Sequence, residues 1–313
     1  MYEIESLNRK GERIVFLNKN KSMLIKEDYH INLYEITEQK KYKLLDKIAY
    51  SDGIIDFTML SNEMIITSGR HTIIIYKKDK NSSYKLHQKI FNSNWAEIYR
   101  IKELENKNFA VCGWAGFFIF KMNDYSQYSI ILEINYTRIY DFMEIKGKKN
   151  NFILYSGDKA LIINGKDIIN IINLENDILK NFSNSRYICQ LNESLFVLSG
   201  LRYITLFNSD TNQIKKINFL KDDDFDKRRE KYFLNHCPNI FRYNSSSIIL
   251  ITLEGIFIIK VINEEKIQVQ LRIFHKLIYG FDFEFNEEEK SIIYYDKNTF
   301  WNKLKIKNKY IVK

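Results

Sequence analysis

Apolar and polar positions along the chain follow one recurring phrase. An apolar run ends in a small residue and Gly, a short polar gap follows, and a second apolar run begins. It reads IITSGRHTIIIY at Ser68-Gly69, FAVCGWAGFFIF at Cys112-Gly113, ILYSGDKALIIN at Ser156-Gly157 and FVLSGLRYITLF at Ser199-Gly200. The glycines stand 44, 44 and 43 residues apart. Weaker copies place Glu27, Leu253 and Asp296 at the glycine position, which makes seven units. Each unit holds four strand-like runs; in the second they are IIDFTML, EMIITS, TIIIYK and YKLHQKI. The middle two are continuously apolar, as strands buried on both faces are. The fourth runs alternate, as in Ile267, Val269, Leu271 and Ile273 with polar residues between, which predicts one face in water. The small-Gly step suits a tight turn, where Gly reaches positive φ without penalty.

Four-stranded units repeating every 40–45 residues are the signature of β-propeller blades. The expectation is an all-β, seven-bladed β-propeller of four-stranded antiparallel blades, one domain over 1–313. Its blades would span 10–50, 51–93, 94–136, 137–184, 185–236, 237–275, and 276–313 together with 1–8. The seventh unit has too little chain for a fourth strand. Tyr2 to Ser6 alternate apolar and polar and lead into RIVFL, so the N-terminal strand is predicted to join the last blade.

The pattern of apolar strand, Ser-Gly, polar turn and I-x-I-aromatic resembles the WD40 repeat family. Gly69 through Tyr76 and Gly200 through Phe207 carry it best, and the likeness extends most clearly from Ile54 to Phe219. No third strand ends in Trp-Asp; the equivalents are Tyr76-Lys77, Phe120-Lys121 and Phe207-Asn208. No Gly-His dipeptide occurs, so the Asp-His-Ser-Trp network of that family cannot be built. Aromatic packing between blades is expected to take its place. Another propeller family remains an open reading.

Composition adds little to the fold and something to function. The net charge is +9 and the pI about 9.1, which by itself admits nucleic acid or an anionic membrane surface as a partner. Acidic and basic residues are interspersed, however, and Lys, Asn, Ile, Tyr and Phe all have AT-rich codons, a bias that raises the pI without selection for binding. The opening residues lack a signal-peptide order. The most apolar stretch, Ile248 to Ile262, is broken by Glu254, Gly255 and Lys260. The expectation is a cytoplasmic protein without a transmembrane segment.

Motifs of catalysis are missing: there is no G-x-S-x-G, P-loop or G-x-G-x-x-G. The five histidines are scattered, and Cys112, Cys189 and Cys237 have no metal spacing. Counted from Asp222 as an EF-hand, the acidic run lacks the Gly and Glu that the loop needs. No enzyme activity, cofactor or metal is expected. Asp56, Glu97 and Asp141 could reach a central channel, though lone carboxylates there are more often structural.

Binding residues are expected on the face that carries the second-to-third-strand turns and the fourth-to-first-strand connections. Arg70, His71, Asp158 and Arg202 lie in those turns. Trp95 and Trp114 would emerge there as hot spots, with blade packing as the competing reading. The insertion at about Lys221 to His236 adds Lys227, Arg228 and Arg229, and Leu174 to Ser185 is a second long connection. The expected role is a non-enzymatic scaffold or adaptor for other proteins in a larger intracellular assembly, possible settings being cytoskeletal, ciliary or trafficking; the alternative is a basic face for nucleic acid or anionic lipid.

Overall fold

The computed structural model describes residues 2–10, 13–17, 22–27, 30–37, 42–50, 53–145, 147–148, 150–174, 187–199, 203–219, 239–252, 255–264, 266–273, 283–286, 290–295 and 300–306. Among them every regular element is a β-strand, and the strands form antiparallel four-stranded sheets. The chain divides into two compact units. One comprises Tyr2–Arg138 and Tyr279–Ile306; the other comprises Ile139–Ile278 with Met1 and Lys307–Lys313.

The first unit holds four sheets. Strand β1 (Tyr2–Lys10) belongs to a sheet completed from the far end of the sequence and taken up below. The next is β2 (Arg13–Leu17), β3 (Ser22–Glu27), β4 (His30–Ile36) and β5 (Tyr42–Ala49). Then come β6 (Asp56–Met59), β7 (Ile65–Ser68), β8 (Thr72–Lys78) and β9 (Tyr84–Phe91), and β10 (Ile98–Glu103), β11 (Phe109–Gly113), β12 (Gly116–Met122) and β13 (Tyr128–Asn135). The second unit holds three: β14 (Asp141–Glu144), β15 (Asn151–Tyr155), β16 (Lys159–Asn164) and β17 (Asp167–Asn173); β18 (Ile188–Gln190), β19 (Leu195–Ser199), β20 (Tyr203–Asn208) and β21 (Ile214–Asn218); and β22 (Asn239–Asn244), β23 (Ser247–Thr252), β24 (Gly255–Asn263) and β25 (Lys266–Ile273). In all six sheets built from one stretch of sequence, neighbouring strands are consecutive.

The remaining sheet contains β26 (Phe283–Asn286), β27 (Ser291–Tyr295) and β28 (Phe300–Ile306), in the order β1-β28-β27-β26. Strand β1 runs antiparallel to β28, with Tyr2 opposite Ile306 and Ser6 opposite Asn302.

Sheets adjacent in sequence pack through their apolar faces. Ile66, Ile73 and Ile75 of one sheet meet Phe109, Val111, Phe118 and Phe120 of the next in a single buried cluster. Phe109 stacks on Phe120 with ring centroids 4.7 Å apart and meets Tyr128 edge-on at 4.8 Å. In the second unit, Val197, Ile204 and Leu206 pack against Ile248, Leu250 and Ile259. Strands β7, β11 and β19 are buried at every position; their apolar residues predict this, and Thr67, Ser68 and Ser199 are buried with them.

Polar groups pin the same joints. The Ser68 hydroxyl donates to the Ile98 carbonyl of the following sheet at 3.1 Å. Further out, the Asp46 carboxylate accepts the Tyr84 amide at 2.7 Å. One sheet later, the Gln88 side-chain amide takes the equivalent grip on Tyr128, bonding its carbonyl and its N–H at 2.8 Å each.

The outer strands depart from strict alternation. Register shifts leave one extra residue in β5, β9, β13, β17 and β25: Leu45, His87, Ile131, Ile169 and Gln270. Each is a β-bulge, which bends the strand and turns neighbouring side chains outward. Val269, assigned inward from the pattern, is 39% exposed for this reason, and Ile131 and Ile169 are exposed beside it in kind.

Candidate functional site

The turns carrying the repeated glycines differ in what they ask of glycine. Gly69 and Gly113 do not have positive φ, contrary to the sequence expectation. They are needed for close approach instead. A Cβ on Gly113 would lie 2.1 Å from the Glu97 carbonyl oxygen, and one on Gly69 would lie 2.8 Å from that of Gly53. In the first of these turns the left-handed residue is His71, at φ 59°. Gly157 alone among the described repeat glycines has positive φ, at 91°; Gly200 lies outside the described residues.

The tight seat of Gly113 brings the β11–β12 turn onto the start of β10, where the Trp114 amide donates to the Glu97 carbonyl at 2.8 Å. The Arg138 amide donates to the Trp114 carbonyl at 3.0 Å, and the Arg138 guanidinium lies over the indole at 4.0 Å. Trp114 remains 36% exposed. The Glu97 carboxylate pairs with Arg70 at 3.5 Å. Next to Arg70, the His71 ring faces Phe91 at 6.4 Å, and Phe91 is 66% exposed. Phe91, His71, Arg70, Glu97, Trp114 and Arg138 therefore form a continuous strip along one end of two adjacent sheets. It joins aromatic surface to two guanidinium groups, the combination enriched where proteins bind proteins. The carboxylate–arginine pair is solvent-exposed and contributes little to stability.

The other candidates separate. Trp95 is a correction: it is 1% exposed, with Phe118 at 5.3 Å and Phe120 at 6.0 Å, and presents nothing to a partner. Its apolar ring completes the joint between two sheets, and packing won over display. Asp158 is exposed in the β15–β16 turn of the other unit, and its carbonyl accepts the Leu174 amide at 2.7 Å. Arg202, Lys227, Arg228 and Arg229 lie outside the described residues, as do 175–186 and 220–238. Arg138 and Phe91 were missed from the sequence. Arg138 belongs to a fourth-to-first-strand connection, the class of segment expected on the turn face, so its position was the available signal.

Of the carboxylates expected to reach a central channel, Asp56 and Asp141 are occupied by backbone amides. Asp56, 1% exposed, accepts the Phe57 amide at 2.7 Å and, from the next sheet, the Ile101 amide at 2.8 Å. Asp141, fully buried, accepts the Phe142 and Tyr187 amides at 2.9 Å each. Glu97 is engaged by Arg70 at the surface. Among the described residues, no three His, Cys, Asp or Glu side chains come together as a metal site, and no helix is long and apolar enough to cross a membrane.

No family model matches the chain, and no curated protein does. Solved structures do. A streptogramin B lyase aligns over 98% of this chain and 98% of its own, with TM-score 0.65 and 13% identity. A selenomethionine-substituted virginiamycin B lyase from Staphylococcus aureus aligns over 98% and 100%, with TM-score 0.63 and 12% identity. BBS1N, solved in complex with ARL6DN, aligns over 96% and 93%, with TM-score 0.62 and 11% identity. These are β-propeller proteins, and at such identities the likeness extends to the fold alone. It supports a propeller and does not single out the WD40 family.

Proposed function

We propose that the chain is a non-enzymatic protein-docking module, and that 1–313 forms one seven-bladed ring closed by β1 in the last blade. The pairing of β1 with β28 supports the closure. The exposed strip from Phe91 to Arg138 carries the docking reading. It combines a half-open indole held flat by a guanidinium with a second arginine and an exposed phenylalanine. Preformed geometry lowers the entropy lost when a partner binds. The non-enzymatic part is supported by Asp56 and Asp141, whose carboxylates are committed to main-chain amides. One propeller neighbour was solved with a protein partner and two are lyases by name; the strip, not this resemblance, favours docking. A cytoplasmic setting belongs to the same proposal.

The test is affinity capture from cell lysate with quantitative mass spectrometry, comparing the wild-type protein with a Trp114→Ala, Arg138→Ala double variant. A defined set of proteins lost with the double variant supports the assignment. A set retained unchanged rejects the strip. Binding to DNA or phosphatidylserine vesicles that falls steeply with salt would instead favour a basic-face module.

A further inference from the structure

Arg100 stands in strand β10 and is 3% exposed. Its Nε and one terminal nitrogen, Nη2, are buried and meet no acceptor among the described residues. An arginine cannot shed its charge on burial, and buried N–H groups left without acceptors are costly. Nε and Nη2 share one edge of the guanidinium. Their N–H bonds run parallel and match the two oxygens of a carboxylate side-on.

The repeat supplies a second, independent observation. Arg100 lies opposite Cys112, the residue before Gly113, as Asp56 lies opposite Ser68, the residue before Gly69. The two are 44 residues apart, one repeat length. Asp56 fills that place with a carboxylate that binds main-chain amides. In the sheet of β10–β13 the sign of the charge is reversed. No carboxylate of that strand row can occupy the place, since the row continues as Cys112, Phe117 and Ile134.

We propose that the Arg100 edge is a binding site for a small carboxylate, held by paired hydrogen bonds from Nε and Nη2. Burial excludes bulky anions and strengthens the charge-assisted bonds. The site is separate from the Phe91–Arg138 strip, and either assignment stands without the other.

Thermal melts at constant ionic strength test it, with sodium chloride replaced by sodium acetate, formate or phosphate. Wild type is compared with Arg100→Lys, which keeps the charge without the fork, and Arg100→Met, which removes both. Acetate or formate at 100 mM should raise the wild-type Tm by about 2 °C over chloride, saturating with concentration, and should leave both variants unmoved. An equal rise in all three proteins, or none in the wild type, overturns the proposal. A larger rise with phosphate overturns the carboxylate assignment. If neither variant folds, the wild-type titration decides: saturation supports the site, and a linear rise with salt rejects it.

Discussion

The Asp56 carboxylate reaches across a sheet boundary to accept the main-chain amide of Ile101 at 2.8 Å while its other oxygen holds the Phe57 amide. One side chain thereby joins two sheets at their first strands. Asp141 repeats the arrangement with Tyr187 in the other unit. Asp56→Asn leaves one buried amide without its acceptor and should lower unfolding free energy by about 2 kcal/mol, and Asp56→Ala by about 3. Urea denaturation measures both; a loss below about 0.5 kcal/mol for Asp56→Ala would contradict the pinning role.

The two tryptophans should behave oppositely. Trp95→Ala opens a cavity among Phe118 and Phe120 and should cost about 3–5 kcal/mol. Trp114→Ala removes an exposed ring and its contact with Arg138, worth about 0.5–1 kcal/mol. Melting curves separate them, and a strongly destabilised Trp114→Ala would mean that this indole is structural.

Much of the architecture was legible in the sequence because strand burial is written in residue type. The apolar run at Phe109–Gly113 could only be buried on both faces, and it is. The bulges were not legible: an extra Ile131 or Ile169 in an aliphatic run leaves no compositional trace. The same blindness affected Trp95 and Trp114, since residue type alone does not tell a packed indole from a displayed one. Asp56 was legible as a candidate structural carboxylate but its partner was not, because that partner is a main-chain amide, which every residue but proline has. Arg138 was overlooked because its partner, Trp114, is distant in sequence and the contact depends on a turn seated by Gly113.

Gly113 is a position where a single methyl group meets main chain. Gly113→Ala would put its Cβ 2.1 Å from the Glu97 carbonyl oxygen and should cost about 3 kcal/mol. Gly53→Ala, with nothing within 4 Å of the added atom, should change stability by less than about 0.5 kcal/mol. Loss of Arg138–Trp114 ordering in a folded Gly113→Ala protein would be visible as altered tryptophan fluorescence.

Alkaline stability should report on Tyr84. Burial, followed by the nearby Glu63 and Asp46 charges, raises its pKa above the ordinary 10.0, and burial raises Tyr128 and Tyr243 likewise. The folded state therefore holds these protons more tightly than the unfolded chain. Their stabilisation is complete below pH 10 and declines as pH rises above it. Tyr84→Phe loses the hydroxyl bond to the Glu63 carbonyl, about 1 kcal/mol at neutral pH, and should show a shallower fall between pH 10 and 12. An unchanged slope would place the alkaline transition elsewhere.

Strand β1 tests the ring. Removing residues 1–8 strips the pairs from Tyr2–Ile306 to Ser6–Asn302 and exposes the edge of β28. A fall in Tm of roughly 5–10 °C is expected. An unaltered melting curve would reject closure through this strand.

The bulged outer strands also decide how copies of this protein meet. An open sheet edge invites another chain to add itself as a further strand, and Leu44, Leu86, Ile130 and Ile168 would make such an edge sticky. Addition needs an even row of amides and carbonyls, and the extra residue in β5, β9, β13, β17 and β25 breaks that row. Directly after the bulge region, Asp46 and Asn170 also occupy the amides of Lys47 and Ile171 with their own side chains at 2.8 Å. Strand β21, whose register runs unbroken, carries Lys215 and Lys216, and the bulged β5 and β9 add Lys43, Lys47, Lys85 and Lys89. Bulges and lysines thus work together against fibre-like stacking, and these strands can display aliphatic side chains without polymerising.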